Sequence, residues 1–185
     1  YNELAKTHSP FVPMQGNIST SAKIGNNTVI QPGAVVGHNV HIGNDCIIHP
    51  NVVIYDNCIL GDRVQIHAGA VLGSDAFYFK KQEGAYHTMH SCGRVVIGND
   101  VTIGAACTID RGVSGDTVIG EGSKLDNQVH VGHDTVIGKH CLFAAQVGIA
   151  GVVKIEDNVI LWGQVGVQKD LTIGKGAVVL GQSGI

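Results

Sequence analysis

From Ile18 a large aliphatic returns at every sixth position: Ile18, Ile24, Ile30, Val36, Ile42, Ile48, Ile54, Leu60, Ile66 and Leu72 hold one phase without a slip. Four places after the aliphatic comes a small or β-branched residue, as at Thr28, Ala34, Val40, Cys46, Val52, Cys58, Val64 and Ala70. Asn, Asp, Gly and Pro fill the turns between. A period of six accommodates two-residue strand alternation plus a tight corner, and it fits a 3.6-residue helix poorly. Such hexads specify an all-β solenoid, the parallel β-helix. Each hexad makes one flat face, about three faces close a coil, and each coil hydrogen-bonds to the next. The large aliphatics should stack inside, with the small residue fitting the narrow interior near each corner.

The interruptions of this phase are informative, because a solenoid tolerates insertions only as loops on its outside. The phase stops after Leu72 and resumes at Ile97, Ile103 and Ile109. An ejected loop is therefore expected over about 74–95. It carries Phe77, Tyr78, Phe79 and Tyr86, aromatic surface that a core would otherwise claim, which favours a functional loop over an idle one. A second slip, of four residues, falls around Ser114-Gly115-Asp116-Thr117, after which the phase runs from Ile119 to Ile185. Residues 1–17 show no period; Ser9-Pro10-Phe11-Val12-Pro13 reads as an extended lead-in. The expected organisation is that lead-in followed by one β-helix domain over 18–185.

Composition agrees with a core of Val, Ile, Leu and Ala: hydrophobic residues are 44% of the chain, aromatics 5%, and there are 26 glycines. The formal net charge of −3 gives no reason to expect nucleic acid or an anionic membrane as partner. No apolar run approaches the ~20 residues of a membrane helix, and no signal peptide opens the chain. A soluble cytoplasmic protein is the expectation, and the sequons at Asn17 and Asn26 are read as chance.

Few polar residues stand out. Cys46, Cys58, Cys107 and Cys141 occupy the inward small position of their hexads and fill volume as alanine or valine would; Cys92, in the loop, is the one candidate for a reactive thiol. The histidines lie at turn or outward positions, where scattered surface imidazoles are ordinary. His130 and His133 differ, because Asp126, Asn127 and Gln128 lie on the same coil, and a carboxylate orients a neutral imidazole to take a proton. Zinc needs three or four converging ligands, and the spacings 38/41 and 130/133/140 contain no such motif. No metal or cofactor is expected, and the glycines follow the hexad phase rather than a phosphate-binding fingerprint.

Several segments together resemble a known family over nearly the whole chain: Gly73-Ser74-Asp75-Ala76-Phe77, Cys92-Gly93-Arg94-Val95-Val96-Ile97-Gly98, Cys107-Thr108-Ile109-Asp110-Arg111-Gly112, Leu125-Asp126-Asn127-Gln128, Val131-Gly132-His133 and Ile149-Ala150-Gly151. They are similar to the left-handed β-helix acyltransferases, and most to the UDP-3-O-acylglucosamine N-acyltransferases of lipid A biosynthesis. The resemblance implies a left-handed helix and a homotrimer with sites between subunits. It also implies transfer of a 3-hydroxyacyl chain from acyl carrier protein to the 2-amino group of a UDP-3-O-acylglucosamine. His133 would be the general base, Asp126 the carboxylate beside it, and Gly151 the backbone N–H donor to the oxyanion. Asn127, Gln128, His130 and Asp170 would line the substrate site.

Two departures accompany the likeness. Nothing before Ile18 could form the family's uridine-binding N-terminal domain, so the chain is read as part of a longer protein or as a short relative. Asp170 stands where many members have a second histidine. The alternatives on the same scaffold are a coenzyme A-dependent acetyltransferase, a carbonic-anhydrase-type metalloenzyme and a catalytically silent trimer.

Overall fold

The computed structural model describes residues 17–185, so the lead-in expected over 1–17 lies almost wholly outside the described residues. Among these residues every regular element is a strand, and no helix is long and apolar enough to cross a membrane. Three parallel sheets form the faces of a β-helix. Sheet one has eight strands, from Lys23–Ile24 to Thr172–Ile173; sheet two has eight, from Val29–Ile30 to Val178–Val179. Sheet three has seven, from Val35–Val36 to Gly166–Val167. The chain visits one, two and three in turn, so each aliphatic pairs with its counterpart a coil away: Ile42 with Leu60, Ile48 with Ile66, Ile54 with Leu72.

The hexad phase predicts which side chains point inward. Val36, Ile48, Ile66, Leu72, Ile103, Ile109, Val131 and Ile149 are completely buried, and so are the small-position Cys46, Cys58 and Cys107. Burial pushes the Cys58 thiol up to about 12, so it is a space-filling group and not a nucleophile. Corners are turned by residues at positive φ, most often Asn and Asp, which tolerate that region better than most non-glycine residues, with Gln and Gly next.

The corners also have a recurring cap. On several coils the backbone N–H two places after an aliphatic donates to a side-chain oxygen of the residue at the equivalent place one coil on. Asn44 Oδ1 caps Asn26 N–H at 2.8 Å, Asp56 caps His38 at 2.7 Å, Asp62 caps Asn44 at 2.7 Å, and Asp157 caps Lys139 at 2.8 Å. The cap satisfies a donor that neither strand ladder uses.

The first interruption is not an irregular loop. It contains an antiparallel hairpin, Phe79–Gln82 against Ala85–Thr88, turned by Glu83 and Gly84, both at positive φ, the hairpin geometry whose twist matches its strands. Its base is fastened by buried Arg111, whose Nε donates to Gly73 O at 2.7 Å and whose guanidinium reaches Asp56 O at 3.2 Å. Cys92 N–H and Gly93 N–H donate to Val113 O and Gly112 O. The hairpin and the four-residue slip both leave the helix at the corner where sheet three passes to sheet one.

Candidate active site

That corner stacks Arg111, His133, Gly151 and Lys169 on successive coils, each two places after its buried aliphatic. His133 follows the sheet-three strand His130–Val131, with its side chain mostly buried. Its Nδ1 meets Asp134 Oδ2 at 2.8 Å, and the Tyr78 ring from the hairpin stands edge-on at 5.4 Å. The four-residue slip explains why Asp134 is there. Val113 N–H and Gly115 N–H donate to its carboxylate at 2.8 and 2.9 Å, and Ser114 N–H approaches at 3.5 Å. Burial alone would push this carboxyl up; the hydrogen bonds from Val113, His133, Gly115 and Ser114 outweigh it and hold the group below the usual carboxylate range. An ionised Asp134 accepts the Nδ1 proton, which leaves the lone pair on Nε2, the arrangement of a general base.

Nε2 faces Gly151. A Cβ at Gly151 would lie 2.5 Å from Nε2 and 2.7 Å from Cε1, so only glycine leaves room for the ring. Gly151 sits at a corner position whose N–H is capped on some coils, as at Asn26, His38, Asn44 and Lys139, and, among the described residues, uncapped on others, as at Ala68, Glu121 and Ala145. One coil on, however, stands Lys169, which has no oxygen to offer. Among the described residues nothing accepts the Gly151 N–H. A base and an unengaged amide donor thus lie side by side.

They open into a cavity of about 1040 Å³ lined by Phe77, Tyr78, Phe79, Tyr86, Asp110, His130, His133, Gly151, Lys169 and Asp170, among others. His130 shares a 2.8 Å hydrogen bond with Thr108 Oγ1 through Nδ1, and its Nε2 is 3.9 Å from Asp110 Oδ2. On its other side His130 borders a shallow channel floored by Gly148, Gly166 and Gly184, outward-facing positions of sheet three. A Cβ at any of these three glycines would meet nothing within 4 Å, so the chain's own packing does not require them.

The structure brings His133, Gly151, His130 and Asp170 to one cavity, but not the Asp126–Gln128 run. Those residues turn the preceding corner, between sheets two and three. Asp126 accepts its neighbour Asn127 N–H at 2.7 Å, and Asn127 Oδ1 caps Ala105 N–H at 2.7 Å. Gln128 begins a ladder in which Gln146, Gln164 and Gln182 each donate to the glutamine a coil below, at 2.8, 2.8 and 2.9 Å. The expected pairing of His133 with Asp126 is therefore corrected within this chain: the carboxylate on His133 is Asp134. Its sequence signals were the adjacent His-Asp pair and the slip that supplies its amide cradle. Asp170, at positive φ, lies at the cavity rim beside Lys169 Nζ at 3.4 Å. Among the described residues no group of three or more His, Cys, Asp or Glu is arranged to hold a metal ion.

Comparison with known proteins places these features in a wider set. The family model described as bacterial transferase hexapeptide (six repeats) matches residues 21–55, 39–74 and 116–151, and that of the hexapeptide repeat of succinyl-transferase matches 94–132. A UDP-3-O-acylglucosamine N-acyltransferase of Methylobacillus flagellatus is 52% identical over 131 residues, 68% of this chain and 37% of its own length. One of Dechloromonas aromatica is 58% identical over 62 residues, 34% of this chain and 18% of its own. The chain thus spans well under half the length of these curated relatives. Among solved structures, the UDP-N-acetylglucosamine acyltransferase of Francisella novicida superimposes with TM-score 0.83 at 32% identity, over 91% of this chain and 60% of that one. The Bacteroides fragilis enzyme of that name gives 0.83 at 29% identity, over 95% and 67%.

Proposed function

This chain belongs to the hexapeptide-repeat acyltransferases, in the family of the UDP-3-O-acylglucosamine N-acyltransferases, and from that premise we propose that it moves a 3-hydroxyacyl chain from acyl carrier protein to the 2-amino group of a UDP-3-O-acylglucosamine in lipid A biosynthesis. The observation that carries the reading is the His133–Asp134 pair set beside the unengaged Gly151 N–H. Acyl transfer from a thioester to an amine needs those two things together. His133 Nε2 takes a proton from the attacking nitrogen, with Asp134 steadying the imidazolium that forms. Gly151 N–H stabilises the oxygen that becomes negative as the carbonyl turns tetrahedral. The nitrogen–carbon bond forms, the carbon–sulfur bond breaks, and the proton on His133 passes to the departing thiolate.

The glycine-floored channel supports a long acyl group. From His130 to Gly184 it crosses three strand spacings, about 14 Å at ~4.8 Å each, with no side chain projecting from its floor. In this reading the protein works as a cytoplasmic homotrimer, neighbouring subunits walling the channel and the aromatic cleft. The names of its relatives supply the sugar nucleotide. The test is acyl transfer from a panel of 3-hydroxyacyl carrier proteins to UDP-3-O-acylglucosamine, for the parent chain and His133→Ala. A loss of about 10²–10⁴-fold in the variant is expected. A parent that prefers acetyl-coenzyme A, or a His133→Ala chain as active as the parent, would overturn the proposal.

A further inference from the structure

The cavity holds a second acid that the reaction just described does not use. Asp110 is 7% exposed and ends the sheet-three strand Thr108–Asp110. The pairing of that strand slips between Ile109 and Asp110, so that Asp110 comes opposite Ser74. Irregularities of this kind re-aim a side chain, and they concentrate near active sites. Here Ser74 Oγ donates to Asp110 Oδ1 at 3.0 Å, while Oδ2 is 3.9 Å from His130 Nε2. Asp110 and His130 both border the His133 cavity and a second cavity of about 510 Å³ beneath the hairpin, lined by Asp75, Phe77, Phe79 and Thr88. At the equivalent place one coil on stands Gly132, which has no side chain to cover the acid. Burial holds the Asp110 carboxyl above the usual carboxylate range, and His130, Ser74 and His133 offset that push only in part.

We propose that Asp110 is an acceptor-positioning residue that makes this site selective for an amine over a hydroxyl. The inference rests on the acyl-transfer reading of the same site. Two acceptors, Asp110 Oδ2 and His133 Nε2, face one cavity. A primary amine carries two N–H bonds: one is held by Asp110 throughout, and the other gives its proton to His133 as the nitrogen attacks. A hydroxyl has a single proton. If it donates to the base, Oδ2 of the buried Asp110 is left without a hydrogen-bond donor, and an unpaired buried acceptor is costly. The Ser74 bond fixes the carboxylate so that Oδ2, and not Oδ1, faces the substrate.

Asp110→Asn tests this, because the amide keeps the shape and an oxygen for Ser74 but offers a donor where Oδ2 accepted. The two acceptors to compare are UDP-3-O-acylglucosamine and the matching UDP-3-O-acylglucose, which has a hydroxyl at the reacting position. In the parent chain kcat/KM should favour the amine, and in Asp110→Asn that preference should shrink by roughly 10- to 100-fold. Equal losses for both acceptors would show a merely structural residue and overturn the inference. Calorimetric binding of the two acceptors without any acyl donor gives a readout that needs no turnover. An amine preference in binding that Asp110→Asn abolishes upholds the amine site even if no acyl transfer is found, so that only the transfer reading falls. No difference between the acceptors in either assay overturns the amine site itself.

Discussion

Lys169→Asn should make the protein more stable and less active at once. At the capped corners an Asn or Asp one coil on places its Oδ1 2.7–2.8 Å from the N–H below, as Asn44 does for Asn26 and Asp157 for Lys139. Lys169 occupies that place above Gly151. Asparagine there would satisfy the Gly151 N–H, and a net hydrogen bond of this type contributes about 0.5–1.5 kcal/mol. The same bond would withdraw the amide from the oxyanion, and loss of one such donor costs about 10²–10³ in kcat. Lys169→Ala separates the cap from the lost ammonium, since alanine removes the charge without offering an oxygen. Thermal melts and steady-state acyl transfer on all three chains would decide it. Lys169→Asn with parental kcat and a raised Tm would refute the role given to Gly151 N–H; equal losses in both variants would assign the effect to the ammonium.

Other substitutions test the neighbouring pieces. Gly151→Ala puts a Cβ 2.5 Å from His133 Nε2; ordinary contact is about 3.5–4.0 Å, so the ring must retreat by about 1 Å. Such a displacement costs on the order of 10²-fold in kcat, whereas Gly174→Ala, with nothing within 4 Å of its Cβ, should be silent in the same assay. Asp134→Asn, which frees His133 to present the wrong tautomer, should lower kcat by about 10²–10⁴-fold with acceptor KM little changed. The Asp134 carboxyl is held below its ordinary value in the folded chain, so its contribution to stability is complete above the unfolded value near 3.9 and fades as pH falls through the lower folded one. Melts should therefore show the parent's stability advantage over Asp134→Asn at pH 7 and its shrinkage below about pH 4. Gln146→Ala breaks two rungs of an exposed ladder and should cost about 1 kcal/mol in denaturant titration. A large fall in kcat instead would show that Gln128 and its column touch substrate.

The hexads were legible because a narrow prism interior enforces one inward phase. Every aliphatic from Val36 to Ile173 named by the repeat is buried. The hairpin strands were not legible. Phe79–Gln82 and Ala85–Thr88 are exposed at every position, so no buried face imposed an alternation on them. Within one chain Asp126 does not reach His133, for a geometric reason. In a coil of 18 residues, seven steps along the chain lead around to another corner, and Asp126 is therefore on a different edge from His133. Residues sharing an edge recur at 18, lengthened by any slip between them. Counted that way, His133 points to Gly151 and Lys169, and across the four-residue slip to Arg111. Asp134 was within reach as the next residue, but what makes it an orienting carboxylate is the amide cradle at 113–115, which appears in the sequence only as a broken phase.

A regular β-helix is poor chemical material, because its ladders, and at several corners its side-chain caps, use up most of the backbone donors. Chemistry has to come from places where that accounting is disturbed, and here the disturbances share one edge. The slip at 113–115 turns amide N–H groups toward Asp134. The irregularity at Ile109/Asp110 aims a buried acid into the cavity, and the missing oxygen at Lys169 leaves Gly151 N–H unengaged. The hairpin, rooted on Arg111 at the same edge, brings Tyr78 against His133. Lengthening a loop costs only about 0.6 kcal/mol per doubling, so a solenoid can add such features at one corner while its core stays in phase. Phase breaks in a hexapeptide sequence are therefore where to look first for its active site, and the residues to list beside them are those at multiples of the coil length, not those nearest in sequence.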